Sequence, residues 1–443
     1  MRRVLLLVLG SWSVSGLAAE EHPGGAPSQS VASSVATPSA PAETQSADPM
    51  SLAELLREAL ERSPEVQIAA RAVEAKRARV PQAGALPDPM LMYGVMNEGR
   101  PVPFQTLGEA GFSEVYVGLS QEFPYPGKRS LRKGAATAEL EAAEAAYEGA
   151  RRRVSAAVAE AYYDLYVTHA ALDVIEESSR LLEQLIKVAH TRLAVGQTSQ
   201  QDVLDAEVEI SRIEERRSQL AERRAILEAR LASLLYRGKD EPFGRPSAVI
   251  STPLPGPLDE LLRLAEEESP TLQEKARMIT QAERTLDVAN RDQKPDFSLN
   301  FVYHNRGGLD PYYTFGGTLT LPNVHGRQKR AVEEAAAGLG GSRSGADLAR
   351  AEVRYAVTEA YQMASTAERL LRLYDEGILK QSRLSLDSAL TQYRVGKVEF
   401  LTLITSWRRL LDYDLSYHEQ LAAHEKALAR LAVHVGTTAE PTR

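Results

Sequence analysis

The residues able to do chemistry are few and poorly placed for it. Eight histidines are spread over 443 residues, and no two stand at i, i+4, the spacing that lets one helix face share a metal. His418 and His424 fall too far apart around a helix to act together. Cysteine is absent, which excludes disulfides, thiolate metal sites and a cysteine nucleophile. "PGKR" from Pro126 lacks the upstream glycine and the Ser or Thr of a phosphate loop. No nucleophile elbow or metalloprotease motif occurs. The expectation is a protein that is not an enzyme, with no catalytic residue, no cofactor and no metal site. Met90, Met92 and Met96 are soft ligands in principle. Alternation puts all three on one strand face, and lipid-facing packing is the expected reading.

The elements that would position such residues are mostly very long helices. From Lys128 to about Leu193 there is no proline, and apolar or small residues step by three and four. They are Val154, Val158, Ala161, Leu165, Thr168, Leu172, Ile175, Ser179, Leu182, Ile186, Ala189 and Leu193. This is a heptad seam. Gly196 breaks it, and Ser199 and Asp202 can start a return helix from Gln201 to Leu235. Its seam continues through Ile210, Ile213, Leu220, Leu227, Leu231 and Leu234. Asp205 lies one turn beyond Asp202 on the same face. A second hairpin of the same plan runs from Arg327 to Val395, turns at Gly396, and returns through Leu401, Leu411 and Leu415. The glycines of "AAAGLGGSRSG" from Ala335 are expected to loosen or bend it.

Between helices the period changes from 3.6 to 2. Strands are expected at 90–97 and 113–123, and again at 297–304 and 312–321. Phe297, Leu299, Phe301 and Tyr303 alternate with Ser298, Asn300, Val302 and His304. About ten residues with one apolar and one small, polar face fit a membrane-barrel strand; a soluble hairpin packed on helices is the plainer alternative. The whole plan occurs twice: "SLAELLREALERSPEVQ" from Ser51 is echoed by "PLDELLRLAEEESPTLQ" from Pro257. The fold class is mainly α with a transmembrane β part and a two-fold internal repeat. Four strands cannot close in lipid, because open edges leave backbone groups unsatisfied. Two copies would supply eight strands and three would supply twelve.

Arg2 and Arg3, the apolar run Val4–Gly10 and small residues to Ala19 read as a signal peptide at 1–19. Residues 20–49, rich in Ala, Ser and Pro, read as a disordered leader. Repeats follow at 51–236 and 258–436, with hairpin tips at 195–201 and 394–399. A proline-rich connector spans 237–257, and a tail spans 437–443. A net charge of −8 and a pI near 5.7 argue against a nucleic-acid partner.

"VGLSQEFPYPGKR" from Val117, "RLAVGQTSQQDVLDAE" from Arg192 and "QYRVGKVEFLTLI" from Gln392 carry a resemblance. Over roughly Ser51 to Gly436 the chain resembles the TolC-like outer-membrane factors. The first segment, with "LPDPML" from Leu86, looks most like the CzcC/CusC heavy-metal-efflux branch. The resemblance implies a homotrimer in the cell outer membrane, with a shared twelve-stranded barrel, a periplasmic helical coiled-coil tunnel and an equatorial belt that includes 237–257. It implies a passive exit duct of a tripartite efflux pump, partnered by a periplasmic adaptor and an inner-membrane pump, carrying heavy-metal cations or drugs. Val195, Gly196, Ser199, Val395 and Gly396 match the adaptor-docking tip. Asp202, Asp205 and Tyr393 match the gate region, although Thr402 and Thr405 replace aspartates found in some members. For Asp202 a helix cap competes with the gate role. Two alternatives remain: a periplasmic coiled-coil adaptor or scaffold, and the duct of a type I protein secretion system.

Overall fold

A computed structural model describes residues 50–99, 102–109, 111–238, 241, 243–322 and 326–436. The expected signal peptide, leader and tail lie outside the described residues. The first half contains α1 (Leu52–Arg62), α2 (Pro64–Gly84), β1 (Met90–Met96), β2 (Glu114–Phe123), α3 (Lys128–Ala194) and α4 (Gln200–Leu235). The second contains α5 (Leu258–Glu268), α6 (Pro270–Arg291), β3 (Asp296–Arg306), β4 (Leu309–Thr320) and α7 (Arg327–Leu373). A π turn (Tyr374–Ile378), α8 (Leu379–Arg394) and α9 (Phe400–Val435) complete it. Ser63-Pro64 and Ser269-Pro270 break each opening helix pair at the same place. Each proline takes the first helical position of α2 or α6, where a missing N–H costs nothing.

α3 is one helix of 67 residues, about 100 Å at 1.5 Å per residue. Its expected seam is the buried one: Val158, Ala161, Leu165, Leu182 and Ala189 are completely covered, with Thr168 and Ile175 nearly so. Toward the tips the seam packs with Val203, Ala206 and Ile213 of α4, Leu386 of α8, and Leu403 and Trp407 of α9. Leu401, expected in that seam, instead points outward at 63% exposure. Phe400, Leu403 and Ile404 fill the place, because the helix begins at Phe400 and its register rotates Leu401 away. The other half of α3 runs past α4 and is flanked by α2 and α6. Glu139 receives Lys76 from α2 at 2.9 Å and Gln281 from α6 at 3.1 Å, while Glu141 pairs with Arg277 at 2.8 Å.

The glycine cluster neither loosens nor breaks α7, which continues through Gly338, Gly340, Gly341 and Gly345. Packing against α6 and α9 holds it, offsetting about 1 kcal/mol of lost propensity per glycine. The irregularity lies further on, in the π turn at Tyr374–Ile378. The connector is clamped to the helices. Arg237 grips Glu58 of α1 at 2.6 and 2.9 Å, Ser247 N–H donates to Met50 O at 3.1 Å, and Thr252 N–H donates to Glu425 of α9 at 2.7 Å.

The four strands form one antiparallel meander in the order β1-β2-β3-β4, so β2 and β3 join the two repeats. The register pairs even with even residues across the ladders, as far as a shift past His304 where Arg306 meets Leu309: Met92 with Gly118, Gly118 with Val302, Val302 with Thr314. Cross-strand partners share a face. The odd face carries Leu91, Tyr93, Leu119, Leu299, Phe301, Tyr313 and Phe315; Tyr93 and Phe315 are over 80% exposed. The even face carries Ser120, Ser298, Asn300, His304, Thr314 and Thr318, and is the sheltered one, with Glu114, Ser120 and Val302 buried. Met90, Met92 and Met96 lie on this even, polar face. That corrects the expected lipid-facing placement: the alternation grouped them properly, but only the register against β2 shows which face they share. Lys128, the first residue of α3, is a buried cation. It is 1% exposed, with Nζ 2.9 Å from Asp296 and from Lys294 O, and it ties the β2–α3 junction to the α6–β3 junction.

Candidate functional site

Both hairpins close in the same way. Gly196 N–H donates to Leu193 O at 2.9 Å and Gln197 N–H to Arg192 O at 2.8 Å; Gly396 and Lys397 repeat this on Tyr393 and Gln392 at 3.0 and 2.9 Å. These are Schellman closures, which need a left-handed residue after the helix. Gly196 has φ +72° and Gly396 φ +76°, where a side chain would be strained. Val195 and Val395 are each 65% exposed beside these turns. An exposed apolar residue next to each tight turn makes a repeated, unpartnered surface.

Ser199 caps α4, its Oγ accepting from Asp202 N–H at 3.3 Å, while its hydroxyl donates to the Asp202 carboxylate at 3.0 Å. The other carboxylate oxygen takes the Thr198 hydroxyl. Asp202 is therefore tied into the capped first turn of α4 as well as being a charge near the tip. Thr198 Oγ1 also stands 3.5 Å from the Tyr393 hydroxyl, so Asp202 and Tyr393 meet through Thr198. Asp205 is exposed and holds Gln201 at 2.8 Å.

Tyr393 is buried within the subunit: it is 1% exposed, edge-on to Phe400 at 5.6 Å. Arg192 stacks over it, with the guanidinium carbon 4.6 Å from the ring centre. The same guanidinium donates to Tyr393 O and, at 3.1 Å, to Gln197 O. Arg192 thus pins the first tip to the second. Sequence reasoning missed it, since an arginine in a helix's last turn looks like an ordinary favourable end charge and its repeat partner is Gln392. Below the tips, Arg408 of α9 is locked to buried Glu209 of α4, with Nε–Oε2 at 2.9 Å. That bond raises the already high Arg408 pKa.

Residues 55–235 match the family model described as "Outer membrane efflux protein". No curated protein matches the chain. Among solved structures, the chain is similar to the outer membrane protein VceC of Vibrio cholerae, with a TM-score of 0.74 at 18% identity, covering 88% of this chain and 97% of that one. It is similar to CusC, with a TM-score of 0.74 at 17% identity, covering 87% and 91%. It is also similar to the open-state MtrE outer membrane channel of Neisseria gonorrhoeae, with a TM-score of 0.72 at 20% identity, covering 87% and 88%. The long helices and four antiparallel strands are those of the TolC-like outer-membrane channel fold, and the first repeat carries the match to the outer membrane efflux protein family.

Proposed function

We propose that the chain is one subunit of an outer-membrane exit duct of a tripartite efflux pump. The observation that carries this reading is the sheet. It has an apolar odd face, a more polar even face and two edges, β1 and β4, without partners in the described subunit. Such a sheet is stable in lipid only when further copies close it. Three copies would give the twelve-stranded barrel of a homotrimer, with α3, α4 and α7–α9 extending as a periplasmic tunnel and the 237–257 connector forming its belt. The match over residues 55–235 supports the outer membrane as its place.

In this reading the duct is passive: solute passes along it without bond making or breaking. The exposed Val195–Gly196 and Val395–Gly396 turns, with Ser199, are the surface for a periplasmic adaptor, and the inner-membrane pump supplies energy. Asp202 and Asp205, repeated around the axis, would favour cations near the aperture, and Tyr393 with Arg192 would hold the tips inward. Heavy-metal cations or drugs are the cargo, the former suggested by the "LPDPML" and "PYPGKR" segments.

Purified protein is expected to insert into planar bilayers as a discrete channel and to fractionate with outer membranes. Full recovery in the soluble fraction would end the proposal. A deletion strain challenged separately with copper, zinc, cobalt, dyes and antibiotics identifies the cargo class.

A further inference from the structure

The two repeats correspond residue by residue. Left-handed Gly127 and Gly326 precede α3 and α7 at a spacing of 199. Gly196 and Gly396 end the two arms at a spacing of 200, and the π turn holds the extra residue. The return helices α4 and α9 keep that spacing throughout, while Pro64 and Pro270 open α2 and α6 at a spacing of 206. Packing orders the helices α2-α3-α6-α7 near the sheet and α4-α3-α9-α7 nearer the tips. α3 therefore has α6 and α9 of the second repeat beside it. On the outer side of α7, the equivalent of α3, no such pair stands within the subunit. The helices equivalent to α6 and α9 are α2 and α4, and these lie at the opposite edge.

The contacts of α3 have complementary equivalents at those two edges. Lys128 holds Asp296 at 2.9 Å; the equivalents are Arg327, first residue of α7, and Asp88, which follows Pro87 as Asp296 follows Pro295. Arg430 of α9 holds Glu160 of α3 at 2.7 Å; the equivalents are Arg230 of α4 and Glu359 of α7. Lys426 of α9 holds Asp164 of α3 at 2.7 Å. There both members change together, to Ile226, 60% exposed, and Met363, 43% exposed. Each couple stays matched, cation with anion or apolar with apolar, although its members stand on opposite edges of one subunit. Asp88, Arg230, Arg327 and Glu359 are exposed and form no ion pair among the described residues. The cavities follow the same rule. Arg132, Ala136 and Glu139 of α3 wall a cavity closed by Gln281, Thr285 and Val288 of α6. Their equivalents on α7, Ala331, Ala335 and Gly338, wall a second cavity. The closing wall equivalent to that of α6 is Ala75, Arg79 and Gln82 of α2, at the far edge.

We propose that the outer face of α7 is the docking surface for α2 and α4 of a second copy of this chain, joined through Arg327 to that copy's Asp88, Glu359 to its Arg230, and Met363 to its Ile226. The contact is head to tail, so the same two edges are used at every junction and successive copies continue around a ring. The proposal rests on the duct reading for the existence of an assembly and names the residues that hold it. Exposed ion pairs each contribute little, so proximity is the first thing to test.

Within one subunit α4 and α7 are three helix spacings apart, roughly 25 Å, and the chain has no cysteine. Ile226→Cys combined with Met363→Cys, treated in outer membranes with a bis-maleimide too short for that span, should link chain to chain. Either single variant should stay unlinked. Charge exchange supplies a second readout. Glu359→Arg should lower the temperature at which oligomers dissociate on gels, and adding Arg230→Glu should restore it. A role for Glu359 inside its own subunit would not be rescued from α4. Arg327→Asp with Asp88→Arg is read in the same way. Oligomers that persist without a 226–363 link, and without rescue by either exchange, would overturn the proposal and leave the duct standing. A wild type that is monomeric in mild detergent would sink the duct reading, and this surface with it.

Discussion

At Gly196 the backbone is left-handed, and the space around a would-be Cβ is empty. Conformation, not crowding, is therefore what restricts the residue. Gly196→Val should cost about 1–2 kcal/mol locally and unwind the Schellman closure, moving Val195. Efflux is expected to fall severely while oligomers persist on gels; unimpaired efflux would remove this turn from adaptor docking. Arg192 makes a different prediction, because its contacts run between the tips. Arg192→Met keeps an apolar stem over Tyr393 but drops the donors to Tyr393 O and Gln197 O. Faster hydrogen exchange at 390–400 and a larger resting conductance should follow. Protection unchanged from the wild type would mean that Phe400 packing alone holds Tyr393. The two glycines were legible because a helix stop has a one-residue signature, repeated here at a spacing of 200. Arg192 was not, since its partners come from the other hairpin and no local pattern announces them.

Elements are held to one another by a few charged and aromatic clasps, and two of these titrate. The Arg237 hydrogen bond holds the Glu58 carboxyl below its ordinary pKa of 4.5, despite partial burial. A lowered carboxylate contributes stability above its unfolded pKa and loses it as pH falls through the folded one. The connector should therefore come away from α1 only in strong acid, below about pH 4.5, and Glu58→Gln should abolish that step in pH-dependent hydrogen exchange. His418 of α9 behaves in the opposite part of the scale. Burial lowers its pKa from 6.5, and its Nδ1 has no hydrogen-bond partner among the described residues. The ring is edge-on to Tyr166 at 6.2 Å. The unfolded chain takes the proton first, so stability is complete above the unfolded value and declines as pH falls toward the folded one. Thermal unfolding should occur at lower temperature at pH 5.5 than at pH 7.5, with a shallower slope in His418→Phe. A slope equal to the wild type's would assign the effect to His434 and His169, whose pKa values burial also lowers. The long seam of α3 was legible because heptad spacing is local. The π turn, the continuity of α7 and the outward Leu401 were not, since each is decided by how neighbouring helices pack.

For the whole molecule, the decisive feature is a sheet with two open edges. Sequence alternation was enough to find four strands and sort their faces, but the direction of the β1 face depended on ladder register, which alternation within one strand cannot supply. Register also makes the assembly testable. Within one subunit β1 and β4 are three strand spacings apart, roughly 14 Å, well beyond the limit of about 7 Å between Cα atoms for a disulfide. With no native cysteine, Tyr93→Cys combined with Tyr313→Cys, Phe315→Cys or Gly317→Cys can form a β1–β4 bond only between copies. Both positions lie on the odd face, so a neighbouring copy that continues the barrel brings them together at one of these offsets. Oxidised outer membranes should then show a disulfide-linked ladder of one, two and three chains that ends at three and collapses on adding reductant. A ladder running past three would mean an open or larger array. Monomer alone at every offset would mean that the edges do not meet, and the closed barrel would fall with them.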